Sequence, residues 1–285
     1  MVAPASPADR SRITKGARAL AKLGYRVEVL PQAFARRGHL AGTDRERAAA
    51  LRKALGDASL RAIFFVRGGF GVTRLLPLIE RDLVAADPKI LVGYSDTTAL
   101  LAFVTGKLGW VTFHGPMVAT DLPTLSAKDR RALTRALRGA LPQPIAFRSV
   151  IRPGVAEGRL IGGCLSVLVS LLGTPYAADF AGRIVFLEDV NEEPYKLDRM
   201  LTQLRQAGAL RKVRGIVFGE MAACGARSEV LRVLAERTRD LGVPVGFGLP
   251  SGHGRGKHTL PLGVRARLDT NRRRLEILEP GTLHP

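Results

Sequence analysis

Cysteine is scarce in this sequence, with two among 285 residues. Two thiols cannot staple a chain of this length, so apolar burial has to hold it together. Aromatic residues make up only 6%, with a single Trp. They are not interleaved with the basic residues, so a stacking platform for single-stranded nucleic acid is missing. No apolar run approaches the roughly 18 residues needed to cross a bilayer. Met1 to Arg10 lacks the charged-then-apolar pattern of a secretory leader. There is no His-Glu-x-x-His, zinc-finger, basic-zipper or RNA-binding signature, and Cys164 and Cys224 stand far apart. Neither a metal, a cofactor nor a membrane is expected, and the place of action is read as the cytoplasm.

Positive charge is what the chain has in excess. Its 44 Lys and Arg outnumber 25 Asp and Glu, giving a net charge of +19. Such a surplus points to nucleic acid only where it clusters. Arg12, Lys15, Arg18 and Lys22 line one face of an expected helix, opposite Ile13, Ala17 and Leu20, and Arg272 to Arg274 lie near the C-terminus. Residues 61–120 carry only +2 and residues 161–220 carry zero. The excess reads as a solvated, arginine-rich outer surface, and no nucleic-acid partner is expected. A composition of 46% hydrophobic and 24% charged residues is that of a folded domain and excludes a disordered chain.

Short apolar runs alternate with amphipathic stretches in the first half. Helices are predicted over Arg12–Leu23, over Arg45–Leu55 behind a Thr43/Glu46 capping box, and over Thr97–Lys107. Strands are predicted at Tyr25–Leu30, Arg61–Val66, Lys89–Val92 and Trp110–Phe113. Met1 to Pro4 reads as the end of a first strand whose start is missing or very short. This alternation predicts an α/β fold with a mostly parallel N-terminal sheet and helices on both faces. Residues 121–157 change character, with a basic helix over Ser126–Arg138 and then proline- and glycine-rich turns. The division expected is 1–120 as a nucleophile domain, 121–157 as a connector, and 158–285 as a smaller C-terminal α/β domain with a β-rich core. The second part predicts strands at Arg183–Leu187, Val213–Phe218 and Val243–Phe247, a helix from Pro194 to its C-cap at Gly208, and a terminal hairpin.

In parallel sheets, ligands sit beyond the carboxyl ends of the strands. The turn Arg67-Gly68-Gly69-Phe70-Gly71, the segment Gly93-Tyr94-Ser95-Asp96 and His114 all fall there. The glycine turn matches neither a P-loop nor a dinucleotide fingerprint. Ser95, in a strand–turn–helix, is the candidate nucleophile, and the Asp96 amide would face a developing oxyanion. The third glycine of G-x-S-x-G is absent, because position 97 is Thr. The competing reading is that Ser95 only caps the following helix. A general base would be one of five histidines. His39 and His284 lie in polar or terminal segments, while His114, His253 and His258 lie in or near turns. Glu188 and Asp189 end an apolar strand, where a carboxylate needs a partner.

Several of these segments, taken in order, resemble the LD-carboxypeptidases, the serine peptidase family that includes the microcin C immunity hydrolases. They are Arg67 to Gly71, Gly93 to Thr98, His114 to Met117, Gly162-Gly163 with Leu165-Ser166, Gly173 to Tyr176, Leu187 to Val190, Pro194-Tyr195 with Asp198 to Leu201, and Gly252-His253 before Leu260 to Gly263. The resemblance spans nearly the whole chain. It implies a Ser-His-Glu triad between two domains, with Ser95 as nucleophile, His253 as general base and Glu188 as its orienting acid. It implies an oxyanion hole from the amides of Gly69 and Asp96. It also implies a cytoplasmic, metal-free homodimer that removes the terminal D-alanine of murein tetrapeptide during cell-wall recycling. Arg67, His114 and Cys164 are the candidates for the substrate side, and His114 also fits a supporting role. Position 164 is Cys where the family usually has Asn, which would alter specificity or simply bury a neutral thiol. Two alternatives stand beside this reading. One is an immunity-type hydrolase of aminoacyl-nucleotide analogues; the absence of an aromatic residue between Thr120 and Ile145 disfavours it. The other is a non-catalytic ligand- or nucleic-acid-binding protein on the same scaffold.

Overall fold

The computed structural model describes residues 1–78 and 88–282. His284 lies outside them. In chain order, helix α1 covers Arg10–Lys22 and α2 Asp44–Gly56, followed by strands β1 Ala62–Phe64 and β2 Ile90–Gly93. Helix α3 (Thr98–Leu108), β3 (Thr112–His114) and α4 (Ala127–Leu137) complete the first half. The second half contains β4 (Ile145–Ala146), β5 (Ser149–Arg152), β6 (Val155–Cys164), α5 (Leu165–Ser170), β7 (Arg183–Val190) and α6 (Pro194–Gln206). It ends with β8 (Gly215–Ala222), α7 (Arg227–Thr238), β9 (Val245–Leu249), β10 (Leu260–Leu262), β11 (Arg265–Asp269) and β12 (Arg274–Ile277). The architecture is mixed α/β with two sheets.

The first sheet has the order β1-β2-β3-β10, with β1, β2 and β3 parallel and β10 antiparallel to β3. Side chains alternate between its faces, as a two-residue period requires. Ile63, Phe65 and Leu91 enter one apolar cluster with Leu51 and Leu100, while Phe64, Val66 and Val92 enter another with Ile13 and Leu133. Both faces are therefore covered by helices, as expected of parallel strands. The Thr43/Glu46 capping box forms: Thr43 Oγ1 accepts from the Glu46 amide at 3.2 Å, and Glu46 Oε2 accepts from the Thr43 amide at 2.6 Å. A cap of this kind stabilises a helix by about 1 kcal/mol.

The second sheet, expected from the sequence to belong to the smaller unit, is the wider one. Its order is β4-β12-β11-β6-β7-β8-β9-β5, with β6 to β9 parallel and antiparallel strands on both flanks. In β7, Ile184 and Phe186 face one cluster while Val185 and Leu187 face the other. Helix α6 buries Leu197, Met200, Leu201 and Leu204, the i, i+3, i+4, i+7 stripe of a helix packed on a sheet. Each such burial is worth about 2 kcal/mol before entropy is counted.

Three features differ from the sequence expectation. Tyr25 to Leu30 is extended but joins no sheet. Its contact with the first residues runs through Met1, whose ammonium donates to the Glu28 carbonyl (2.7 Å) and whose carbonyl accepts from the Leu30 amide (3.2 Å). The first strand is reduced to one parallel bridge between Val2 and Phe65. Residues 145–157, read as connector, already pair within the second sheet, and β10 leaves the C-terminal half to pair with β3. The loop 250–259 thus starts from one sheet and ends in the other.

Candidate active site

The elbow at Ser95 is built from β2 and α3. Ser95 has φ of 60°, a left-handed backbone that a serine adopts only under constraint. Such a turn pushes its side chain out at the carboxyl edge of the sheet. The room missing from the local motif comes from elsewhere in the chain. A Cβ on Gly68 would stand 2.7 Å from both Cβ and Oγ of Ser95, so only glycine fits there. The capping alternative is not what forms: α3 begins after a 3-10 turn over Ser95–Thr97, and its N-cap Thr97 makes no side-chain cap. The hydroxyl of Thr97 instead donates to the Tyr94 carbonyl (2.8 Å). Among the described residues Ser95 Oγ has no hydrogen-bond partner.

The glycine turn is fastened to this elbow from both ends. Ser6 donates its amide to the Gly68 carbonyl (3.3 Å) and its Oγ accepts from the Phe70 amide (3.3 Å). The buried Asp96 carboxylate accepts from the Val72 amide at 2.9 Å. Burial pushes the Asp96 carboxyl up to about 6, against the opposing pull of the Val72 amide and the Arg47 charge. Arg47 is fully buried and donates to the carbonyls of Pro4 and Gly71 (2.9 Å to the latter) and to Asp44. The amides of Gly69 and Asp96 are left without backbone partners among the described residues.

Glu188 and His253 are brought together across 65 residues of sequence. Glu188 Oε2 accepts from the His253 ring Nδ1 at 2.8 Å and from the His253 amide at 3.0 Å. Glu188 is fully buried, while the imidazole side chain is 16% exposed and so still open to a substrate. A carboxylate can only accept, so the proton sits on Nδ1 and Nε2 keeps its lone pair. Two local features lie at this pair. Opposite Glu188 the pairing of β7 with β8 shifts register: the step from Leu187 to Asp189 faces the longer step from Phe218 to Met221, so the extra residue lies in β8. A Cβ on Gly252 would fall 2.3 Å from Glu188 Oε2, so the chain can pass the carboxylate only as glycine.

The histidine loop also grips the elbow. Lys257 Nζ donates to the Gly252 carbonyl (2.8 Å) and to Tyr94 Oη (3.1 Å), and lies 3.2 Å from Asp121 Oδ1. Tyr94 Oη in turn donates to Asp121 Oδ1 at 3.1 Å. The Tyr94 ring, next to Ser95 in sequence, meets the His253 ring edge-on with centroids 4.9 Å apart. Sequence reasoning passed over Lys257, Tyr94 and Asp121, because no motif joins them.

The remaining candidates lie in different settings. Arg67 is half-buried and donates to the Pro7 carbonyl (3.2 Å), at a cavity described below. His114 is buried between the Tyr94 and Phe186 rings, and among the described residues neither ring nitrogen has a hydrogen-bond partner. Burial, then the charges of His253 and Lys257, push it down to about 3 against Asp121, so it is neutral at ordinary pH. Cys164 is buried before α5, with Sγ 3.3 Å from Ser166 Oγ and 3.6 Å from Asp189 Oδ1. Burial and the charges of Asp189 and Glu188 hold its thiol well above the usual range, which keeps it protonated. Among the described residues no cluster of three His, Cys, Asp or Glu could hold a metal ion, and no helix is long and apolar enough to cross a membrane.

A serine on a strained elbow and a histidine held by a buried carboxylate, on a two-sheet α/β frame, are the groups that a serine-type hydrolase uses. Comparison with known proteins narrows the class. Residues 1–115 match the LD-carboxypeptidase N-terminal domain, and residues 157–268 match the LD-carboxypeptidase C-terminal domain. The chain belongs to the LD-carboxypeptidase family and is a serine carboxypeptidase. A Bacillus subtilis relative named "Probable murein peptide carboxypeptidase" is 36% identical, over 95% of this chain and 88% of its own. The crystal structure of muramoyltetrapeptide carboxypeptidase from Oxalobacter formigenes superposes with a TM-score of 0.86 at 29% identity, covering 97% of each chain. The Escherichia coli microcin C7 self-immunity protein MccF is 28% identical, over 97% of this chain and 91% of its own. A structure of MccF with glutamyl sulfamoyl guanosine gives a TM-score of 0.87 at 25% identity, over 98% and 94% of the two chains.

Proposed function

We propose that the protein hydrolyses the terminal D-alanine from murein tetrapeptide through a Ser95-His253-Glu188 triad and an acyl-enzyme. The observation that carries this reading is the 2.8 Å bond from His253 Nδ1 to buried Glu188, formed beside the strained Ser95 elbow. His253 Nε2 takes the Ser95 proton as Oγ attacks the scissile carbonyl, and then delivers it to the departing amine of D-alanine. Glu188 holds the ring orientation and stabilises the imidazolium. The amides of Gly69 and Asp96, free of backbone partners, receive the oxyanion. The same reading includes action in the cytoplasm, as a homodimer, with the nucleophile drawn from the first domain and the acid and base from the second.

The likeness to MccF favours testing a second substrate class. Wild-type protein and Ser95→Ala are each incubated with murein tetrapeptide and with an aminoacyl sulfamate adenylate. Release of D-alanine by the wild type alone is the expected result. Cleavage of only the adenylate moves the assignment to the immunity branch, and cleavage of neither removes it.

A further inference from the structure

A cavity of about 220 Å³ lies beside the glycine turn, lined by Asp9, Arg12, Arg36, Arg67, Ala119 and Thr120 together with Pro7 and Ala8. Three guanidinium groups face one carboxylate there, so the lining is strongly positive. Arg36 is already paired with Asp9 at 3.4 Å, and both are well exposed. Arg12 has no acidic partner among the described residues. Arg67 is the half-buried member; among the described residues it donates to the neutral Pro7 carbonyl, and its buried Nε has no hydrogen-bond partner. An arginine held this way keeps its charge and donors available, and its planar fork matches a carboxylate.

The cavity's position matters as much as its charge. Arg67 leads directly into Gly68, which packs on Ser95. Thr120 donates to Asp121 (3.0 Å), the acceptor for the Tyr94 hydroxyl one residue before Ser95. Two of the lining residues are thus tied to the elbow, Arg67 along the chain and Thr120 through Asp121. At about 30 Å³ per water molecule, the space holds a small carboxylate with part of its hydration.

We propose that this cavity is the subsite for the free carboxylate of the substrate's terminal residue, with Arg67 as its principal ligand and Arg12 as a supporting charge. The proposal rests on the reading of Ser95 as nucleophile. It explains at the level of residues why the enzyme would act at a chain end: an internal peptide bond has no carboxylate to place there. A carboxylate elsewhere in the peptide has the same chemistry, so the test has to separate the two sources.

The experiment compares murein tetrapeptide with its C-terminal amide on the wild type, Arg67→Gln and Arg12→Gln. The wild type is expected to prefer the acid in kcat/KM by at least about 10-fold, the scale of a charge-assisted contact. Arg67→Gln should lower that preference by about 10-fold, and the exposed Arg12→Gln by about 3-fold. Equal losses on acid and amide in both variants, or a wild type indifferent to amidation, overturn the subsite and leave the triad reading standing. Equilibrium binding of both peptides to Ser95→Ala, with and without Arg67→Gln, supplies a readout that needs no turnover. A binding preference for the acid that disappears with Arg67→Gln supports the subsite even if no hydrolysis occurs. Indistinguishable binding of acid and amide to Ser95→Ala overturns it.

Discussion

The elbow around Ser95 and the loop around His253 are held by different means. The elbow is fixed mainly by backbone geometry and close packing, with Gly68 against Ser95 and φ of 60° at the serine itself. The loop 250–259 is fixed by directed polar bonds. Glu188 accepts twice from His253, Lys257 binds Gly252 and Tyr94, and Ser251 Oγ donates to the His258 carbonyl at 2.8 Å. Packing sets a position that changes little with pH or salt, whereas polar bonds can be loosened by charge or by a single substitution. The expectation from this contrast is that single substitutions displace His253 more readily than Ser95.

The sharpest break of this comparison is chemical. Ser95→Ala should lower D-alanine release on the order of 10⁴-fold or more with little change in melting temperature, because the hydroxyl carries no structural bond. Retained turnover would show that the elbow is not the reacting side. Next come the two glycines. Gly252→Ala forces a Cβ to 2.3 Å from Glu188 Oε2 and should cost about 100-fold in kcat by displacing the imidazole; Gly68→Ala strikes Ser95 and should cost activity and melting temperature together. If Gly68→Ala lost only activity and Gly252→Ala unfolded the protein, the assignment of rigid and adjustable parts would be reversed.

Lys257→Met removes the bonds to Gly252 and Tyr94 and should reduce kcat by about 10-fold with little change in KM, with partial rescue by Lys257→Arg. A matching loss of melting temperature without a kcat effect would reduce Lys257 to a packing role. The smallest effect concerns stability. Burial pushes His114 down to about 3 and His258 to about 4. Each folded value lies below the ordinary imidazole value of 6.5, so the unfolded chain binds more protons between them. The stability tied to these neutral rings is full above about pH 6.5 and is lost as pH falls towards 4 and then 3. Melting temperatures measured from pH 7 to pH 4.5 should fall less steeply for His114→Phe than for the wild type, while the buried Asp96 carboxyl, pushed up to about 6, acts in the opposite direction in both. A slope equal to that of the wild type would count against this reading.

Much of the frame was legible in residue order. The Thr43/Glu46 box, the i, i+3, i+4 stripe of α6 and the apolar run Ile184–Leu187 each formed as their patterns require. The strand–turn–helix at Gly93–Thr97 identified where a serine would be displayed, and the family resemblance selected Glu188 and His253. Other parts carried no local signal. Tyr25 to Leu30 has the alternation of a strand, yet among the described residues it pairs with no strand of either sheet, because strand formation needs a neighbour and not just a pattern. The irregularity in β8 opposite Glu188 depends on the register between β7 and β8. Lys257, Tyr94 and Asp121 converge from three separate segments.

The net charge of +19 belongs with the outer surface, and most of the acidic groups central to this site are buried. The sequence by itself determined the α/β class, the helix-covered N-terminal sheet and the candidate residues for acyl transfer, because periodicity and residue chemistry are local properties. Only the tertiary structure decided that β9 and β10 belong to different sheets and so stretch the histidine loop across the elbow. It also decided that Gly68 makes the room the serine motif lacks. Both depend on contacts between segments far apart in the chain, and their geometry is fixed only once the two sheets have packed.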